Sequence, residues 1–257
     1  MSADRRLSLN AVNVTVRYGG VVANDQVCLR ADSGRIVGLI GPNGAGKTSF
    51  IDALTGFAQA TGTVTIGDVH LDGLAPHERR RAGMARTWQA GELFSSLSAL
   101  DNVRVAAESA GWRTPLKDLG RRDASSRRAA MNALSRVGLD LGAERTTEDL
   151  SLGQQKLVGV ARALVSEPLV VLLDEPAAGL DSRESHTLGR RLREIATDGP
   201  ALLLVDHDMD LIFEICDTVY VLDFGKIVST GTPDEVRADK RVLSAYLGAS
   251  TASVVKE

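Results

Sequence analysis

Long hydrophobic runs are missing from this 257-residue chain. The longest unbroken apolar stretches, Leu169–Leu173 and Ala201–Val205, fall far short of the ~18 to 20 residues that cross a bilayer as a helix. The opening MSADRRLSLN also lacks the apolar stretch and small-residue cleavage site of a secretion signal, so a cytoplasmic address is expected. Cysteine is scarce. Cys28 and Cys216 stand far apart with no CxxC or Cys/His spacing, which excludes a disulfide framework and a zinc site and predicts two buried small hydrophobes. Strong charge of one sign is missing too. A net charge of -3 and a pI near 5.9 argue against a nucleic-acid-binding domain, and the arginines at 79–81, 121, 122, 127 and 128 are expected to form solvated helix faces. No internal repeat or low-complexity segment is visible. With 44% hydrophobic residues, the chain has ample apolar material for one large domain or two small ones.

Hydrophobic periodicity orders what is present. Leu7, Leu9, Val12, Val14 and Val16 alternate with polar residues, after one slip in phase, as in a strand with one wet face. Arg35–Ile40 is an apolar strand that runs into GPNGAGKTSF and then a periodic stretch with Phe50, Ile51 and Leu54. TGTVTIGDVHLDG reads as short antiparallel strands closed by Gly and Asp turns. From about Glu92 to Glu167 the pattern is helical. LVVLLDEP then has the continuous apolar character of a strand buried on both faces of a parallel sheet. A helix marked by Leu188, Leu192 and Ile195 leads to a second such strand, ALLLVDH, and strand–helix–strand implies a right-handed crossover. TVYVLDFGKIVSTG closes as two strands around a tight turn, and a helix over about 233–247 precedes a polar tail.

GPNGAGKT, residues 41–48, fits G-x-x-x-x-G-K-[ST] between a strand and a helix, the context that motif requires. Glycines let backbone N–H groups converge on phosphate oxygens, and the following helix directs its positive end at the same charge. Gly41, Pro42, Asn43, Gly44, Ala45, Gly46, Lys47, Thr48 and Ser49 are therefore predicted to hold a nucleotide triphosphate. Lys47 would reach the β- and γ-phosphates, and Thr48 would ligate Mg²⁺. Ligands of parallel sheets collect beyond the carboxyl ends of strands, where Asp174 and Glu175 stand. Alone, such an acidic pair is ordinary turn chemistry. Downstream of the glycine loop, Asp174 reads as a Mg²⁺ carboxylate and Glu175 as the residue that orients or deprotonates water. Asp223, Phe224 and Gly225 spell a kinase metal motif, but no HRD loop accompanies them and they fall in a predicted hairpin turn.

Together these segments resemble the nucleotide-binding subunit of ABC transporters, and the resemblance covers nearly the whole chain. LSLGQQK, residues 150–156, is similar to the family's LSGGQ signature, although Leu152 stands where glycine is commonest. It implies that Ser151, Gly153 and Gln154 meet the γ-phosphate of a partner subunit. By the same resemblance Gln89 in RTWQ is the loop glutamine near the metal, Asp181 ends the D-loop, His207 is the γ-phosphate sensor and Tyr18 stacks on adenine. The residues themselves leave plainer readings open. Tyr18 could cover the core, Ser151 could simply cap its helix, and Asp181 with Glu184 fits a capping box.

The resemblance implies an α/β P-loop NTPase fold of the RecA-like kind. Its core would span about 1–91 and 168–247 and include an antiparallel β subdomain; an inserted helical subdomain spans about 92–167, and a tail 248–257. It further implies an ATPase with catalytic residues Glu175, His207, Gln89 and Lys47, using ATP and Mg²⁺ held by Thr48, Gln89 and Asp174. A second ATPase subunit, identical or paralogous, two membrane permeases and indirectly an extracytoplasmic solute-binding protein would be its partners, at the cytoplasmic face of the inner membrane. GMARTWQ, the LSLGQQK form and the ending VLSAYLG resemble the subunits of branched-chain and hydrophobic amino-acid importers, a group that also handles amides. Lipid or lipopolysaccharide transport, and iron–sulfur assembly, are the rival uses of such a cassette.

Overall fold

The computed structural model describes residues 8–87, 93–108, 119–197, 199–242 and 245–246. Its centre is a six-stranded sheet in the order β10-β9-β3-β8-β7-β6. The strands are β3 (Ile36–Ile40), β6 (Met84–Arg86), β7 (Val170–Asp174), β8 (Ala201–Val205), β9 (Thr218–Asp223) and β10 (Lys226–Gly231). All neighbours are parallel except β9 and β10, which form the hairpin expected around Phe224 and Gly225. Every residue of β3, β7 and β8 is buried. The reason is visible in their alternation: Val37, Leu39, Val170, Leu172 and Leu203 enter one core, and Ile36, Ile40, Val171, Leu173 and Leu204 enter the other. A sheet covered on both faces selects continuous apolar strands.

A second, antiparallel sheet, β2-β1-β4-β5, covers one face, with β1 (Ser8–Tyr18), β2 (Val21–Asp32), β4 (Ala60–Ile66) and β5 (Val69–His70). The helix α1 (Lys47–Thr55) lies in the same core, burying Phe50, Ile51 and Leu54. The phase slip in β1 is a β-bulge. The register shifts between Ala11 and Val14, Asn13 takes φ 53°, Ala11 is buried and Val12 is left 49% exposed. Strand β2 was not predicted, because Asn24, Asp25 and Gln26 interrupt its alternation; pairing with β1 supplies what its own sequence does not. The three-residue β6 and the short α2 (Pro76–Arg81) likewise gave no periodic signal.

The opposite face carries helices. α3 (Ala99–Glu108), α4 (Leu119–Arg136) and α5 (Leu152–Leu164) pack together, and α6 (Ser182–Ala196), α7 (Met209–Ile215) and α8 (Pro233–Ala238) follow the last strands. Two expectations need correction. Cys28 is exposed, because it sits on the wet face of β2 opposite the bulge, whereas Cys216 is buried and its thiol pushed up by burial. Arg79 is only 8% exposed: its guanidinium donates to the carbonyls of Ala53 and Leu54 at 2.7 Å and of Leu74 at 3.1 Å, closing the C-terminus of α1. On the surface, His186 stands 2.7 Å from Glu214 and His70 3.5 Å from Asp72.

Candidate nucleotide site

Because β3, β8, β7 and β6 are parallel neighbours, their carboxyl ends lie along one edge of the sheet. β3 delivers the glycine loop there, β8 delivers His207, β7 delivers Asp174 and Glu175, and β6 delivers Arg86 and Thr87. Residues 120 or more positions apart in sequence thus share one rim. Gln89, two residues past Thr87, lies outside the described residues.

The loop's glycines are required by geometry. Gly41, Gly44 and Gly46 have φ of 153°, 81° and 104°. A Cβ on Gly41 would stand 2.0 Å from the Leu222 carbonyl oxygen, and one on Gly46 2.4 Å from that of Ala23. The bracing comes from both sheets. Gly225 N–H donates to Ala45 O at 2.9 Å, and Asn24 Nδ2 donates to Gly46 O at 3.1 Å. α1 then begins at Gly46 with no side-chain cap, whereas α5, α6, α7 and α8 are capped by Ser151, Asp181, Asp208 and Thr232. A helix start with no side-chain cap and no acidic residue in its first turn, where Lys47, Thr48 and Ser49 sit, has the donor set for a phosphate group. Lys47 Nζ donates to Gly41 O at 2.7 Å and Pro42 O at 3.1 Å. Burial lowers its pKa, and the nearby carboxylates of Glu175 and Asp174 oppose that shift. Pro42 and Asn43 complete the turn of the loop, with Ala45 buried beneath it.

Asp174 is almost wholly buried, and its Oδ2 accepts from Arg86 Nη2 at 2.9 Å. The same guanidinium reaches Asp52 of α1 at 2.5 Å through Nη1, so one arginine ties the end of β7 to the helix after the glycine loop. Glu175 takes φ 47°, and its N–H donates to Val205 O at 2.7 Å, which pins the turn after β7 to β8. His207 keeps its side chain 68% exposed at that edge. Tyr18 ends β1 and is 51% exposed, so it is no core aromatic.

Ser151 caps α5, accepting from Gln154 N–H at 3.3 Å while Gln154 Oε1 accepts from Ser151 N–H at 3.0 Å. Gly153 N–H donates to Glu184 Oε1 at 3.4 Å, and Asp181 caps α6 by accepting from Glu184 N–H at 2.8 Å. The α5 and α6 starts therefore touch each other, and the Glu184 side chain serves α5 rather than returning to its own cap. Among the described residues, Ser151 and Gly153 bond to Gln154 and Glu184, and no hydrogen bond joins them to the glycine loop.

A family model described as ABC transporter matches residues 25–178, and one described as branched-chain amino acid ATP-binding cassette transporter matches residues 226–252. The chain belongs to the ATP-binding subunits of ABC transporters. It is 38% identical over 251 residues to the high-affinity branched-chain amino acid transport ATP-binding protein LivG of Salmonella typhimurium, covering 93% of this chain and 98% of that protein. It is 31% identical to the lipopolysaccharide export system ATP-binding protein LptB of Haemophilus influenzae, over 93% of this chain and 97% of that one. The crystal structure of the ADP conformation of an ATP-binding cassette superposes with a TM-score of 0.83 at 27% identity, covering 95% of this chain and 99% of that one. This cassette is accordingly an ATP-binding protein and an ATPase.

Sequence reading missed several residues that build the cassette's site. Arg86 stood inside the quoted GMARTWQ segment, but nothing in its spacing revealed that it would meet Asp174 and Asp52. Asn24, wholly buried under the loop, lay in the unrecognised β2. Tyr246, in the C-terminal segment, is raised in pKa by burial and takes a hydrogen bond from the backbone of Gly41. Between β6, α2 and α5 runs a cleft of about 950 Å³, lined by Phe57, Arg80, Ala106, Gln155, Gly159 and Arg162 among others.

Proposed function

We propose that this cassette powers uptake of branched-chain or other hydrophobic amino acids, or related amides, as the ATPase of an importer on the cytoplasmic face of the membrane. The observation that carries the ATPase chemistry is the single edge on which an uncapped α1, Asp174, Glu175 and His207 converge. The amides of Gly44 to Ser49 and the Lys47 ammonium grip the β- and γ-phosphates, and Tyr18 stacks on the adenine. Mg²⁺, for which Thr48, Asp174 and Gln89 supply oxygen donors, would neutralise charge on those phosphates. Glu175 orients a water and accepts its proton as the water attacks the γ-phosphorus in line, the bond to the β–γ bridging oxygen breaks and ADP leaves, and His207 senses the γ-phosphate. Such catalysis is largely positioning and charge stabilisation.

Since Ser151 and Gly153 bond to Gln154 and Glu184 and not to their own glycine loop, a second copy or a paralogue brings them, with Gln154 and Asp181, to the γ-phosphate. ATP then favours the closed pair because only that state contacts it from both sides. Two membrane permeases dock through the cleft beside β6, and a solute-binding protein acts outside. Amino-acid import is favoured over lipopolysaccharide export by the higher identity to LivG and by the matched segment 226–252. Glu175→Gln should bind ATP with unchanged affinity while kcat falls by about 100-fold or more. A phosphate-release assay with wild-type turnover in that variant would remove Glu175 from its role. Labelled leucine uptake in vesicles carrying the cassette and its permeases tests the solute class, and uptake independent of the cassette would refute it.

A further inference from the structure

Asp206 directly follows β8, immediately before His207, and is 1% exposed. A carboxylate so deeply placed persists only if hydrogen bonds replace its water. Three do so, and all come from two loops. Oδ1 accepts from the N–H of His207 at 2.8 Å and of Asp208 at 3.0 Å; Oδ2 accepts from the N–H of Ala177 at 3.0 Å. Ala177 belongs to the turn that leaves Glu175. Asp208 in turn caps α7 by accepting from Leu211 N–H at 3.0 Å, and accepts the Ser185 hydroxyl at 2.7 Å. Ser185 lies in the first turn of α6, whose cap is Asp181. The sequence pattern of Asp206, Asp208 and Asp210 around a histidine suggests a metal cluster, but among the described residues no such group could hold one, and the carboxylate of Asp206 is taken up by three backbone N–H groups with His207 Nδ1 3.5 Å from its Oδ1.

We propose that Asp206 is a positioning residue for ATP hydrolysis: one carboxylate fixes His207 relative to the Glu175 turn and links both, through Asp208 and Ser185, to Asp181. The proposal rests on the reading that Glu175 and His207 act at the γ-phosphate. Aspartate suits the place because both of its oxygens accept, one toward each loop. Asparagine has the same shape but turns an NH₂ toward one of the N–H donors, so the two loops part. Misplacement by ~1 Å at such a site costs up to on the order of 100-fold in rate.

The test is Asp206→Asn in the purified cassette, assayed for Mg-ATP affinity, kcat, KM and Tm beside Asp217→Asn, Glu175→Gln and His207→Ala. Asp217 accepts from Ile36 N–H at the opposite end of the sheet, so its variant measures loss of stability alone. The expected result is a kcat lowered by about tenfold or more, with KM and Mg-ATP affinity within about twofold of wild type, beyond any loss seen in Asp217→Asn at matched Tm. A kcat near wild type, or a decline no greater than that of Asp217→Asn, overturns the proposal. If Glu175→Gln and His207→Ala both turn over ATP normally, the underlying site reading fails first, and the proposal with it.

Discussion

Arg86 carries more of the site than its place on a three-residue strand suggests. Its guanidinium is buried between Asp174 and Asp52, and its Nη1 also approaches Thr55 Oγ1 at 3.4 Å. Asp174 and Asp52, both within reach of this one guanidinium, would repel one another without it. A buried pair adds little net stability when compared with an apolar pair, but removing one partner strands the other. Arg86→Met should therefore lower unfolding stability by about 3 kcal/mol or more, seen as a reduced urea midpoint with an unchanged slope. A midpoint equal to wild type would show that solvent already screens Asp174. Gly46 makes the complementary point. Its carbonyl is held by Asn24 and its α-carbon faces the Ala23 carbonyl, so the loop's shape is dictated by β2, a strand remote from the phosphate motif in function but not in space.

Among the elements, α1 shows how the fold reserves a helix end for a ligand. Its C-terminus is closed by Arg79 and by the left-handed Gly56, while its N-terminus begins at a glycine with no side chain to bond the first amides. The opposite edge of the sheet is sealed instead. There Asp217 accepts from Ile36 N–H at 2.8 Å and pairs with Arg35 and Arg193 at 2.8 Å each. Burial raises its carboxyl pKa, but the bonds from Ile36, Arg35 and Arg193 outweigh burial and hold it below the ordinary value. A folded-state pKa below the unfolded one means that the stabilisation is complete above the unfolded value, near ~3.9, and disappears as pH falls through the folded value. Asp217→Asn should therefore melt lower than wild type at neutral pH, with the gap closing progressively below about pH 4. Thermal melts between pH 7 and about pH 2.5 check this, and a gap that stays constant with pH would contradict it.

For the whole molecule the decisive fact is that, among the described residues, the hydrogen bonds of the α5 start go to Gln154 and Glu184 and none to the glycine loop. Glu184 occupies the Gly153 N–H at 3.4 Å, a long bond that a phosphate oxygen can displace. An active site shared between two subunits predicts complementation. Lys47→Ala and Ser151→Arg, each inactive alone, should recover ATP turnover when mixed, because the mixed dimer contains one intact glycine loop facing one intact α5 start. Absence of recovery, with both variants folded and dimerising on Mg-ATP, would mean that each chain hydrolyses ATP by itself. A purely homotypic dimer is assumed by that assay; a paralogous partner would be revealed by recovery only when it is added.

Local sequence determined the phosphate loop, the buried strands β3, β7 and β8 and the caps of α5 and α6, because each is written in near neighbours: glycine conformations, a continuous apolar run, an oxygen three residues from an amide. Even the bulge in β1 announced itself as a slip of phase. What the chain's order could not reveal was which distant segments share an edge. Arg86 with Asp174 and Asp52, Asn24 with Gly46, Tyr246 with Gly41 and Asp206 with Ala177 are pairings across 22 to 205 positions, and they exist only because the tertiary fold brings strand ends, the second sheet and the C-terminal segment to one rim. The same cause explains the misread residues. Cys28 is exposed and Arg79 buried because burial follows from the element opposite, here the bulged β1 and the open end of α1, and not from the side chain's own polarity.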